Sequence, residues 1–350
     1  MNKLNLILIS CVFLLSTKLS AQLDSLPKDP NYRQHMSLSE TFFGNEDIYQ
    51  VCYPKGHRPF FYFIIIFAVS TVVLSVLIIY IKNKNNKKLQ EKNDIIAEQN
   101  KDLIDSINYA QRIQQAILPD SKTLNEVFSN GFVLYRPKHI VSGDFYWIHK
   151  IDNWLFAAVF DCTGHGVPGA FLTMLAHNAV TKAVVEKELT DPAKILNSMN
   201  VDVKNALKQT QNNSVQDGME AGIICLDTQT GTLKFAGANI SLQLVQNGQT
   251  QMITSGKCSV GSSQQAVKLP ETITLNLQPN DAVYMYSDGF ADQFGGPNGK
   301  KFKYKQLENL LAENSNRSLQ EQRQTAEKVF TDWLGNVEQT DDVTVIGLRM

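Results

Sequence analysis

Residues 60–81 carry no charged side chain, and as an α-helix this run of about 22 positions rises about 33 Å, enough for one bilayer crossing. Lys82, Lys84, Lys87 and Lys88 follow at once. Flanking lysines stay on the cytoplasmic side of a span, so the pattern predicts a single-pass inner-membrane protein with everything after Ile81 in the cytoplasm. Residues 1–21 carry Lys3, an apolar core and a small-residue ending at Leu19-Ser20-Ala21, the pattern of a secretory leader; an uncleaved first anchor is the alternative. Residues 22–59 are then expected outside the cytoplasm, as a polar and aromatic segment too short for a core of its own.

After the span, residues 82–118 read as a linker helix. Leu89, Ile96, Leu103, Ala110 and Ile117 recur every seventh position, and the intervening seam positions are Asn93, Asn100, Ile107 and Gln114. Asn at seam positions registers parallel pairs at some cost in stability, so residues 89–117 are expected to form a homodimeric coiled coil. The competing reading is one amphipathic helix lying on the domain that follows. Pro119 ends the helix on either reading.

Residues 119–350 read as one domain. Strands are expected at residues 132–135, 144–149, 154–160, 221–227, 233–236, 241–245, 272–275, 282–286 and 343–348. Helices are expected at 167–188, 192–209, 303–313 and 319–334, and together these describe an α+β domain. The 33 basic residues balance 34 acidic ones for a net charge of −1, which leaves no footprint for nucleic acid. Cys11, Cys52, Cys162, Cys225 and Cys258 stand apart from one another, so neither a disulfide framework nor a thiolate metal site is suggested.

Acidic residues mark four strand ends. Asp161 closes the apolar run 154–160 and leads through Gly164 and Gly166 into a helix. Asp144 follows Ser142-Gly143, Asp288 follows the run 282–286, and Asp341-Asp342 precede the last strand. A carboxylate at the rim of a dry core is costly unless paired, hydrogen-bonded or metal-bound. Four such sites with no Cys or His at ligand spacing describe an all-oxygen cation site, which selects hard ions such as Mg²⁺ or Mn²⁺.

Ser142-Gly143-Asp144, Asp161-x-x-Gly164-His165-Gly166, Ser287-Asp288-Gly289 and Asp341-Asp342-Val343-Thr344-Val345-Ile346 resemble, in order and spacing, the four metal-binding motifs of the metal-dependent type 2C (PPM) serine/threonine protein phosphatases, SpoIIE branch. The likeness covers residues 107–350. It implies a four-layer α/β/β/α sandwich with two central antiparallel sheets, here preceded by a transmembrane helix and a linker helix. It also implies two Mn²⁺ or Mg²⁺ ions that share a bridging aspartate and activate a water toward a phosphoester. Carried over by motif, Asp161 is the bridging ligand, Asp144 and the Cys162 carbonyl serve one ion, and Asp288 and Asp341 serve the other. Asp342 is expected behind the ligands. His165 either orients substrate, donates a proton or holds its turn by a backbone hydrogen bond. Asp217 with Glu220, and Asp292, either support a loosely held third ion or face solvent. Lys300, Lys301, Lys303 and Lys305 either steer an acidic phosphoprotein or belong to a solvated loop. The implied partner is a phosphorylated regulatory protein such as an anti-sigma antagonist; the residues that bind it are not marked.

Two other functions compete. Asp161-Cys162-Thr163-Gly164 resembles the phosphorylated loop of P-type ion pumps, yet lacks the lysine at its second position, and one or two membrane segments cannot form a pump. A non-catalytic phosphoprotein-binding relay would be favoured by a missing motif aspartate, and none is missing.

Overall fold

The computed structural model describes residues 58–208, 217–262 and 270–350. The expected leader and most of the extracytoplasmic segment therefore lie outside the described residues. Helix α1 (Arg58–Ile117) is continuous, so span and linker are one helix, and it contains a stretch long and apolar enough to cross a membrane. The chain divides into two compact units between Asp94 and Ile95. In the first unit the apolar side chains from Tyr62 to Ile81 are exposed.

The second unit opens with the last turns of α1 and the short helix α2 (Ser121–Val127), which Asp120 caps by accepting from the Thr123 amide. The strands β1 (Gly131–Arg136), β2 (Asp144–Ile151) and β3 (Trp154–Cys162) follow. Next come helix α3 (Val167–Thr181), which ends in a π-helical turn over Lys182–Glu186, and helix α4 (Pro192–Ala206). Five more strands are β4 (Met219–Asp227), β5 (Thr232–Ala238), β6 (Leu242–Gln246), β7 (Gln249–Ile253) and β8 (Ile273–Asn276). The chain closes with β9 (Ala282–Tyr286), the single turn α5 (Gly289–Asp292), the short pair β10 (Phe294–Gly295) and β11 (Lys300–Lys301), helices α6 (Tyr304–Asn314) and α7 (Leu319–Leu334), and β12 (Val343–Arg349).

One sheet runs β1-β12-β9-β6-β7 and the other β2-β3-β4-β5-β8, and every pairing in both is antiparallel. Alternation along the strands builds three apolar layers. Tyr146, Ile148, Ala157, Val159 and Ile224 meet Met285, Ile346 and Leu348 between the sheets. Phe145, Phe156 and Phe160 pack outward on Ala176, Val180, Ile195 and Met199 of α3 and α4. Tyr284 and Val345 pack outward on Phe290, Leu307, Leu311 and Phe330. The result is the expected α/β/β/α sandwich.

Several elements differ from the sequence reading. The polar edge strand β7 was not expected, although Asn247 (φ 50°) and Gly248 (φ 77°) make the tight hairpin that creates it, a turn these residue types favour. Helix α2 and the β10–β11 pair are too short for periodicity to reveal. Strand β4 starts at Met219 rather than at residue 221, which brings Glu220 into the sheet.

Candidate active site

Strand register sets the first part of the site. Asp144 on β2 lies opposite Asp161 on β3, and Asp161 lies opposite Glu220 on β4. Side chains directly opposite on neighbouring antiparallel strands share one face at about 5 Å. All three fall on the alternation that carries Tyr146, Val159 and Ile224 into the inter-sheet layer. A row of three carboxylates thus rims the space between the sheets. Asn239, just beyond β5, extends the row by donating Nδ2–H to Glu220 Oε1 at 2.9 Å.

The other sheet supplies the facing wall. Ser287 Oγ and Thr344 Oγ1 donate to Asp144 Oδ2 at 2.6 and 2.7 Å. The Thr344 amide donates to Ser287 Oγ at 3.0 Å, which orients that hydroxyl. Asp144 is 3% exposed, and among the described residues its Oδ1 has no hydrogen-bond donor. Asp342, also buried, has both oxygens engaged by backbone amides: they accept the Lys138 amide at 2.6 Å and the Gly143 amide at 2.7 Å, fixing the β1–β2 loop. The Cys162 amide donates to the Gly143 carbonyl at 3.1 Å. Gly143 has no room for a side chain, because a Cβ there would lie 2.6 Å from the Gly164 carbonyl oxygen. The turns before Asp144 and after Asp161 are therefore in backbone contact.

The electrostatics follow from this crowding. Burial raises the Asp144 carboxyl; the Ser287 and Thr344 hydroxyls oppose it, and Asp342 and Asp341 add to it. Asp161 is raised by burial and then by Asp144, Asp288, Glu220 and Asp341. Asp288 is pushed up to about 6 by burial and then by Asp341, Asp292 and Glu220, with Lys301 opposing. Burial raises Glu220, which the Asn239 amide partly offsets. Among the described residues, no basic group lies within 4 Å of Asp144, Asp161, Glu220, Asp288 or Asp341; the ion pair at this rim joins Lys301 to Asp292 at 2.7 Å. Such a cluster is expensive unless protons or cations offset it.

Donor chemistry fits hard divalent ions. Among the described residues no three His, Cys, Asp or Glu side chains close around one point. Mg²⁺ keeps several waters and is held through one or two carboxylates, so a loose ring of oxygens suits it where a closed cage would not.

The remaining sequence candidates lie around this row. Asp217 precedes β4, while register selects Glu220 of that stretch as the neighbour of Asp161. Asp292 is paired with Lys301. Cys162 is buried and its thiol is raised by burial and the nearby carboxylates, so only its backbone is a candidate donor. His165 is exposed, with its ring 5.2 Å from that of His139. Gln114, read from sequence only as a polar break in the α1 seam, is 5% exposed. Its Nε2 donates to the Ser142 carbonyl at 2.8 Å and to Thr173 Oγ1 at 3.0 Å, and its Oε1 accepts the Ser142 amide at 3.0 Å. The end of α1 is thereby tied to the residue two before Asp144.

A family model described as Stage II sporulation protein E (SpoIIE) matches residues 152–350. Among solved structures, the SiaA-PP2C domain of Pseudomonas aeruginosa matches with a TM-score of 0.66 at 32% identity, covering 72% of this chain and 98% of that one. The PP2C phosphatase domain with a regulatory-domain fragment of SpoIIE from Bacillus subtilis matches at 0.50 and 18% identity, covering 63% of this chain and 62% of that one. The RsbU and RsbW domains of Rv1364c from Mycobacterium tuberculosis match at 0.50 and 17%, with 63% and 59% covered. The last two report the fold alone. A comparison with curated proteins finds no match. Fold and acidic rim together define a PP2C-type phosphatase domain. The chain belongs to the SpoIIE family of PPM-type protein serine/threonine phosphatases.

Proposed function

We propose that this protein is a membrane-anchored phosphatase whose Asp144, Asp161, Asp288 and Asp341 carboxylates and Cys162 carbonyl hold two Mn²⁺ or Mg²⁺ ions, with Asp161 between them. The observation that carries the reading is the row Asp144–Asp161–Glu220, which faces Asp288 at the inter-sheet rim without a basic partner. Bound there, the ions supply a hydroxide at neutral pH and neutralise the phosphoryl group.

The chain's own residues prepare that chemistry. The Ser287 and Thr344 hydroxyls orient Asp144 and leave its Oδ1 for a cation. Asp342 pins the loop that delivers Asp144. The apolar layer below the rim keeps water from the carboxylates' inner side and strengthens their field. Glu220, together with Asp217 and Asp292, adds negative charge at the margin, suited to a loosely held third ion. His165, exposed beside the rim, would orient substrate or donate a proton when it carries no metal ion.

The substrate class is a phosphoserine or phosphothreonine on a regulatory protein, with an anti-sigma antagonist as the candidate. Lys300, Lys301, Lys303 and Lys305 form a basic strip near the site for an acidic partner. Residues 60–81 anchor the chain in the inner membrane with residues 119–350 in the cytoplasm. Two copies pair through the exposed part of the 89–117 seam, which carries Leu89, Ile96 and Leu103, since Gln114 and Ile117 are taken up by the chain's own domain. The test is hydrolysis of a small aryl phosphate by the full chain in detergent. Mn²⁺-dependent turnover that stops with EDTA and is lost in Asp161→Ala supports the reading. Full activity in excess EDTA would sink it.

A further inference from the structure

His139 lies in the β1–β2 loop and His165 in the turn between β3 and α3, and both are exposed. Their ring centres are 5.2 Å apart and the ring planes are inclined at 45°. Among the described residues neither imidazole hydrogen-bonds a protein group, so their ring nitrogens are available to a ligand. Both loops are held in place. Asp342 accepts the amides of Lys138 and Gly143 on either side of His139, and Gly143 abuts the Gly164 carbonyl next to His165.

Ring centres at this separation are close enough for one metal ion to be shared between the two imidazoles. With a Zn–N bond of about 2.0–2.1 Å, a ring centre lies about 3.2 Å from the ion, and two rings at a tetrahedral angle have centres about 5.2 Å apart. We infer that His139 and His165 form a second cation site at the mouth of the cleft, one that takes Zn²⁺ or a similar imidazole-seeking ion, with water completing the coordination. Donor type separates it from the oxygen-lined row: imidazole suits Zn²⁺, Cu²⁺ and Ni²⁺, whereas carboxylate, carbonyl and water suit Mg²⁺ and Mn²⁺. An ion at this position joins the loop ahead of Asp144 to the turn after Asp161. The inference concerns binding and does not depend on turnover.

The test is Zn²⁺ binding by the full chain in detergent, with buffered free Zn²⁺ and saturating Mn²⁺ to occupy the oxygen sites. Losing one arm of a chelate removes the effective concentration that the first arm provides, so His139→Gln should weaken Zn²⁺ binding at least about tenfold. His139→Cys should restore it, because thiolate also ligates Zn²⁺. Cu²⁺ bound at this site should show electron-spin coupling to two imidazole nitrogens in the wild type and to one in His139→Gln. Equal Zn²⁺ affinity in wild type and His139→Gln, or no Zn²⁺ uptake beyond that of the double variant His139→Gln/His165→Gln, would overturn the inference. If Zn²⁺ binds at the pair in a chain that hydrolyses no phosphoester, the pair stands and the phosphatase reading falls.

Discussion

Neighbouring aspartates in one motif do different work. Asp341 lies in the field of Asp288 and Asp161, whereas both oxygens of Asp342 are taken by backbone amides. Asp161→Ala and Asp288→Ala should each lower kcat by at least about 100-fold, since a bound ion's charge stabilisation is worth several kcal/mol. Asp342→Asn keeps one acceptor and loses the other, so it should cost about 1–3 kcal/mol of stability with a much smaller loss of kcat. Equal kinetic losses at Asp341 and Asp342 would show the ligand boundary to be misplaced. A second expectation concerns pH. A carboxyl raised in the folded state stabilises the protein below its unfolded value, about 3.9 for Asp, and that contribution is lost as pH rises through the folded value. For Asp288 the loss is complete above about 6, and Asp144 and Asp161, raised in the same direction, carry it to higher pH. Mn²⁺ should therefore raise the unfolding temperature more at pH 7.5 than at pH 5. Equal shifts at both would remove this cluster as the cation site.

At the scale of elements, α1 has two kinds of surface. Gln114 is buried on Ser142 and Thr173, and Ile117 packs against the layer beneath α3 and α4. The seam's last turn thus packs on the phosphatase domain, while Leu89, Ile96 and Leu103 remain exposed. The pair proposed for this seam, with polar Asn93 and Asn100 in it, would be a two-state element that a few kcal/mol can shift. Replacing Asn93 and Asn100 with leucine should strengthen pairing, and Ile96→Lys with Leu103→Lys should abolish it. Cross-linking in membranes and the phosphatase rate, taken on the same variants, should move together. Altered pairing at an unchanged rate would reduce α1 to a tether.

For the whole molecule, the orientation of the proposed membrane anchor would decide which substrates the site meets. The lysines at 82, 84, 87 and 88 should hold the C-terminal end of the span inside. A reporter fused after Arg58 should be active outside the cytoplasm and one fused after Lys88 active inside. The opposite pattern would deny the catalytic domain any cytoplasmic phosphoprotein.

Much of this protein was legible from residues in order. An uncharged run of membrane length, apolar strand runs ending in Asp144, Asp161 and Asp288, and paired helices between them are local patterns, and local patterns survive without coordinates. The motif order was enough to assign the family and the α/β/β/α layers. What escaped depended on contacts between distant segments. Glu220 could not be distinguished from Asp217 until β4 gained two residues and its register against Asp161 was set. Gln114 looked like a flaw in a dimer seam, because nothing local marks a side chain that reaches an amide 28 positions away. Asp342 and the His139–His165 pair likewise acquire their partners only when the β1–β2 loop closes on the turn after β3. Sequence determined which side chains lie at strand ends; sheet register and loop closure decided which of them share a site, because hydrogen bonding and charge act through space rather than along the chain.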